Sequence, residues 1–123
     1  MAKKQKEIAP SRGEVYLVNF DPTVGSEIKK TRPALVIQNN IVNVHSPVVI
    51  VAAITSQFKK LLYPMEVLIE KGEAGLPRDS VVLLNQIRSI DKRRLLKRIG
   101  NVEGRTMIQV NHALEVSLGI LEI

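Results

Sequence analysis

Short apolar runs rich in β-branched residues, each cut off within eight residues by proline, glycine or a polar cluster, constrain this chain more than any other feature. The runs are Pro33 to Gln38, Pro47 to Ile54, Met65 to Ile69, and Val81 to Leu84 with Ile87. Their length and composition predict core strands, with proline at positions that strand starts tolerate. A first strand precedes them: Val15, Leu17 and Asn19 alternate against Tyr16, Val18 and Phe20 until Asp21-Pro22 closes the ladder. Five or six strands result.

Helical spacing is confined to the last third. Asp91 can cap a helix carrying Leu95, Leu96 and Ile99 before Gly100 stops it. A longer helix is predicted from about Gly104 to Leu118, with Met107, Val110, Leu114, Leu118 and Leu121 on one stripe and His112 turned away. Strands first and helices last predict a mainly β fold, a small curled sheet with C-terminal helices packed on it. The connections are polar. Thr23 to Thr31 reads as an exposed loop, longer than most, and Asn39 to Ser46 as an asparagine-rich connection. Thr55 to Lys60 reads as a second break and Lys71 to Asp79 as a turn-rich excursion.

At 123 residues one core is expected. Residues 1–11 carry no apolar period and read as a mobile lead-in, leaving 12–123 as a single domain. No apolar stretch is long enough to span a membrane, and no apolar segment follows Met1-Ala2-Lys3-Lys4, so a cytoplasmic protein is expected. The absence of cysteine removes disulfides, thiolate nucleophiles and sulfur-based zinc sites. A formal charge of +6 favours polyanionic partners, nucleic acid first. Two Phe, two Tyr and no Trp leave few members for a stacking platform, against a conventional RNA-recognition sheet.

Catalytic devices are few. His45 lies in a predicted loop and His112 on the solvent face of a predicted helix, so a histidine acid–base pair is not indicated. There is no His-x-x-x-His, Asp-x-Asp, phosphate-cradling Gly-rich loop or Gly-x-Ser-x-Gly elbow, and no metal or other cofactor is expected. What remains is a set of polar residues at the ends of apolar strands: Glu27, Arg32, Thr55, Gln86 and Arg88. Arg32 precedes Pro33, which biases it to extended backbone, and its guanidinium can grip a phosphate with two parallel hydrogen bonds. The plainer alternatives are an Arg32–Glu27 surface ion pair and a Thr55 hydroxyl bonded to backbone. The basic run Lys92 to Arg98 reads as a solvated helix face with Leu95 and Leu96 turned inward.

Five segments in order, Arg12 to Tyr16, Asp21 to Glu27, Thr31 to Asn39, Val51 to Thr55 and Asp79 to Arg88, closely resemble the MazF/PemK family of toxin endoribonucleases. The resemblance runs from Arg12 to about Leu121. It implies an SH3-like β-barrel of the CcdB/MazF/Kid type, a homodimer, metal-independent cleavage of single-stranded RNA at a short sequence, and a cognate antitoxin. Carried over by position, the catalytic arginine falls on Arg32 and the strand-end threonine on Thr55, with Glu27 as a further catalytic or supporting group. Ser26, Gln86 and Arg88 match positions near the RNA groove, and Lys29 and Lys30 of the adjoining loop are expected to contact RNA. CcdB-type gyrase poisons share the barrel and cleave nothing. Leu118-Gly119-Ile120 is similar to their C-terminal end, but tryptophan is missing and the Arg32–Thr55 pair fits the ribonuclease branch. A catalytically silent RNA-binding barrel is the third alternative.

Overall fold

The computed structural model describes residues 9–27 and 30–122. The lead-in expected at the N-terminus therefore falls largely outside the described residues. The strands are β1 (Glu14–Asn19), β2 (Thr31–Val36), β3 (Val48–Thr55), β4 (Glu66–Ile69), β5 (Ser80–Asp91) and β6 (Leu95–Asn101). The helices are α1 (Asn40–His45) and α2 (Gly104–Ser117), with 3₁₀ turns at Glu73–Gly75 and Lys92–Arg94. All pairings are antiparallel, and the strands form one sheet in the order β4-β5-β3-β2-β1-β6.

The apolar runs are nearly continuous because both faces of the sheet are covered. Along β3, Ile50, Ala52 and Ile54 turn to one cluster with Leu35, Val82, Leu84 and, from α2, Val110 and Ala113. Val49, Val51 and Ala53 turn to a second cluster with Tyr16, Val18, Phe20, Ala34, Val36, Ile90 and Leu95. Period-two alternation thus divides each strand between two cores. The sheet curls into the expected barrel-like shape, and its far edges meet through a turn rather than a ladder. The Glu73–Gly75 turn lies so close to β6 that a Cβ on Gly75 would sit 2.6 Å from the Ile99 carbonyl oxygen. A Cβ on Gly100 would sit 2.7 Å from the Ala74 carbonyl carbon. Glu73 Oε2 completes the seam, accepting from the Glu103 N–H at 3.1 Å and the Thr106 hydroxyl at 2.7 Å.

Three sequence expectations are corrected. The segment from Asp91 to Ile99 is a 3₁₀ turn followed by β6, not a helix. Asp91 does cap the turn, accepting the Arg93 N–H at 2.8 Å, but Leu95, Leu96 and Ile99 fit a strand as readily as a helix. Pairing with β1 decides, because it fills the open edge of a core strand and buries Leu95 in the second cluster. Gly100 is accordingly a point of close backbone approach, not a helix stop. The asparagine-rich connection contains α1, whose N-cap Asn39 accepts the Ile41 N–H at 2.8 Å. Finally, α2 ends at Ser117, so Leu118 and Leu121 leave the predicted stripe and are exposed, while Thr106, Val110 and Ala113 are the buried residues of the helix. His112 is exposed as expected.

Candidate active site

The strand register places Arg32 and Thr55 at the same end of two neighbouring strands. Ala34 pairs with Ala53 and Val36 with Val51. Counted two residues past the Ala34–Ala53 pair, the same register puts Arg32 and Thr55 at one level of β2 and β3, both with the parity of the second cluster, while their own ladder partners are Val18 and Val81. The regular ladder stops at Ala34 and Ala53, so the two strands open at this point, with apolar residues behind and solvent in front.

Arg88 joins them from β5. It pairs with Val51 and therefore leaves the sheet on that same face. Its NH1 donates to the Phe20 carbonyl at 2.6 Å, and the guanidinium lies 5.7 Å from the centroid of the Phe20 ring. Thr55 is 8% exposed. Its Oγ1 accepts the Gln57 N–H at 3.0 Å and its hydroxyl reaches the Gln57 carbonyl at 3.4 Å. The plain role foreseen for this hydroxyl, bonding to backbone, is therefore present. The second bond is long and readily exchanged for a better acceptor.

The β1–β2 loop stands over this face. Gln86 Nε2 reaches the Ser26 carbonyl at 3.4 Å, tying the loop to β5. Glu27 is exposed, and its Oε1 accepts the Val24 N–H at 2.5 Å while its own N–H donates to the Val24 carbonyl at 3.2 Å. The Glu27 carboxylate thus closes a turn inside the loop. Lys30 is exposed with φ of 66°. Its N–H donates to Asp21 Oδ1 and its carbonyl accepts the Phe20 N–H, both at 3.0 Å. Lys29 lies outside the described residues.

Nothing in the basic run Lys92 to Arg98 singles out Arg94. Its NH1 donates to the Asn19 carbonyl at 3.0 Å and to the Asp21 carbonyl at 2.5 Å. With Arg88 on Phe20, three successive carbonyls at the foot of the loop are held by guanidinium groups. A run of basic residues cannot disclose this, since the partners are backbone atoms more than seventy positions away. The neighbouring Arg93 is engaged differently: its Nε and NH2 bond to Asp91 at 3.0 and 3.1 Å, and these bonds pull the Asp91 carboxyl down to about 2. Among the described residues no group of three or more His, Asp or Glu could hold a metal ion. His45 ends α1, away from the strand ends that carry Arg32 and Thr55 along the chain.

A cationic fork and a hydroxyl on one sheet face, under a loop with exposed lysine, can bind a phosphodiester and stabilise added negative charge on it. Residues 11–118 match the family described as PemK-like, MazF-like toxin of type II toxin-antitoxin system. The chain is 48% identical over 111 residues to the Endoribonuclease EndoA of Bacillus subtilis, covering 90% of this chain and 96% of that one. Among solved structures, MazF from Deinococcus radiodurans superposes with a TM-score of 0.79 at 28% identity, covering 91% of this chain and 98% of that one. An endoribonuclease in complex with its cognate antitoxin from a mycobacterial species gives 0.77 at 26% identity, covering 94% and 100%.

Proposed function

The chain belongs to the PemK-like, MazF-like toxin family of type II toxin-antitoxin systems, and from that premise we propose that Arg32 and Thr55 are the phosphate-handling pair of its RNA-cleaving site. It is an endoribonuclease toxin, and its protein partner is a cognate antitoxin. The antitoxin represses it by covering the RNA face. No helix among the described residues is long and apolar enough to cross a membrane. The toxin acts in the cytoplasm, where its substrate is single-stranded messenger RNA, and cleavage there stops translation.

RNA supplies its own nucleophile. The 2′-oxygen forms a bond to the adjacent phosphorus while the bond from phosphorus to the 5′-oxygen breaks, leaving a 2′,3′-cyclic phosphate and a 5′-hydroxyl. The 2′-hydroxyl proton passes to water, and the departing 5′-oxygen takes a proton from water. Arg32 neutralises the charge that grows on the phosphorane and stands near the leaving oxygen. The Thr55 hydroxyl gives up its long bond to Gln57 and donates to a non-bridging oxygen. A guanidinium has five donors, no acceptor and a delocalised positive charge, so the part of Arg32 is electrostatic rather than that of a general base. Glu27 shapes the loop through Val24. Ser26, Lys29, Lys30, Gln86 and Arg88 contact or frame the RNA. No step calls for a metal ion or cofactor.

What supports this is the β2–β3 register, which, counted two residues past its last pair Ala34–Ala53, brings Arg32 level with Thr55. The deciding experiment places a single deoxyribose at the scissile position of an RNA that the protein cuts. Cleavage is expected to cease there, with binding retained; continued cleavage at that bond excludes 2′-hydroxyl attack. Arg32→Ala and Thr55→Ala are expected to abolish turnover in purified, folded protein, and unchanged turnover in either removes that residue from the site. Residues 12–123 act as one domain. The active form is a homodimer, for which the exposed Ile108, Leu118 and Ile120 offer apolar surface.

A further inference from the structure

β5 departs from regular pairing at one place. Val81, Val82 and Leu83 pair with Thr55, Ile54 and Ala53, and Ile87 and Arg88 pair with Ala52 and Val51. Ala52 and Ala53 are consecutive, so Leu84, Asn85 and Gln86 face no residue of β3. Leu84 stays with β4: its N–H donates to the Met65 carbonyl at 3.0 Å and its side chain fills the first cluster. Asn85 and Gln86 are left to arch out of the sheet. Bulges of this kind re-aim side chains beside functional sites.

The arch walls a concavity of about 270 Å³ lined by Tyr63, Met65, Glu66, Leu83, Asn85 and Gln86. Leu83 is its link to the phosphate-handling pair. Leu83 is opposite Ala53, and Thr55 lies two residues further along β3 on the same face. The polar groups around the concavity differ in their engagements. Glu66 Oε1 accepts the Tyr63 N–H at 2.8 Å and Gln86 reaches Ser26. The exposed Asn85 carboxamide has no hydrogen-bond partner among the described residues.

The chemistry of this lining selects its ligand. Its one charged side chain is the Glu66 carboxylate, which repels phosphate. Tyr63, 61% exposed, offers a ring face, and Met65 and Leu83 add apolar surface. A carboxamide both donates and accepts. A flat, neutral group with donors and acceptors on its edge fits all three, and a nucleobase is such a group. We infer that Tyr63 and Asn85 form a base-reading subsite, in which a base flanking the scissile phosphate stacks on Tyr63 and is selected at its edge by Asn85. This rests on the RNA-cleaving function proposed above and adds the part of it that chooses sequence.

The test compares the wild-type protein, Asn85→Ala, Asn85→Asp and Tyr63→Ala in two measurements. The first maps cut sites and their relative rates across one long, weakly structured transcript. The second measures binding of 2′-O-methyl homopolymers of A, C and U, which cannot be cut. Asn85→Ala is expected to lower discrimination at one flanking position roughly 3- to 10-fold, the worth of one neutral hydrogen bond, without slowing cleavage at every site equally. Asn85→Asp, which only accepts, should shift preference toward bases presenting an amino group. Tyr63→Ala should weaken homopolymer binding about tenfold, as loss of one stacked base does. Cut maps and homopolymer preferences identical to wild type in all three variants overturn the subsite. A uniform fall at every site, with preferences intact, also overturns it, since that marks a general rather than a base-selective role. If wild type cuts nothing, the cleavage function itself fails, while the homopolymer series still decides whether Asn85 and Tyr63 select bases.

Discussion

A guanidinium is a planar fork and an ammonium is a point, and that difference sets the first prediction. Arg32→Lys keeps the charge at this strand end but cannot present two parallel donors to a phosphate. Cleavage of a fixed RNA substrate is expected to fall at least tenfold, and full activity in this variant would remove the fork from the mechanism. Thr55 can be dissected in the same way. Thr55→Ser retains the hydroxyl and should keep most activity, whereas Thr55→Val, of matching shape, should lose about 10²–10³ in rate, the typical worth of one well-placed donor. Tyr16 supplies a pH dependence. Burial, reinforced by Glu14 and opposed by Arg98, raises its phenol above the ordinary 10.0. The unfolded chain then loses this proton at lower pH than the folded one. The Tyr16 contribution to stability is fully present below pH 10 and is lost as pH climbs through the raised value. Denaturant titrations at pH 9 and above should show a decline that Tyr16→Phe reduces. At this scale the strand-end positions of Arg32 and Thr55 were legible, because a lone polar side chain ending an apolar strand stands out. Arg94 was not, since nothing in a basic run says which backbone atoms its members will hold.

The elements that sequence identified are those whose pattern admits one period. β2 and β3 are apolar on both faces and β-branched, and α2 repeats its buried positions at helical spacing. β6 failed that test: two leucines and an isoleucine over five residues suit either period, and the neighbour β1 settled the matter. The β1–β2 loop depends on neighbours in the same way. Its foot is joined to β5 and to the turn Lys92–Arg94 through Arg88 on Phe20 and Arg94 on Asn19 and Asp21. Arg94→Ala should leave the core intact and loosen the loop, so that amide exchange at Phe20 and Lys30 accelerates roughly tenfold while β3 amides stay protected. Unchanged exchange at both amides would show that Arg94 does not secure the foot. The seam between the Glu73–Gly75 turn and β6 gives a stability prediction. Gly100→Ala drives a methyl into the backbone of Ala74 and should cost about 1–3 kcal/mol, as overpacking does. Gly104 has nothing within 4 Å, so Gly104→Ala is the control and should be close to neutral in the same thermal melts.

For the molecule as a whole, the surplus of +6 foretold a polyanionic partner, but only the fold says how many of those charges can face it. Arg93 is bonded to Asp91, Arg98 to Glu14 and Arg105 to Glu103, so the basic 3₁₀ turn and β6 are partly neutralised by their own surroundings. The charges assigned to the proposed site are Arg32 and Arg88 on the face of the second cluster and Lys30 of the β1–β2 loop, with Lys29 adjoining in sequence. Binding to a single strand releases counterions in proportion to the phosphates neutralised, and log K falls with log salt at a slope of about −0.7 for each. Two to four phosphate contacts per protomer give a slope of about −1.4 to −2.8, whereas engagement of the whole surplus would give about −4. Titrating a 2′-O-methyl oligonucleotide at several salt concentrations separates the two. A shallow slope confines recognition to the Arg32 face; a slope near −4 would show the basic edge engaged as well. Arg93→Gln sharpens the comparison, because an arginine committed to Asp91 should leave the slope unchanged, while one that contacts phosphate should reduce it by close to 0.7.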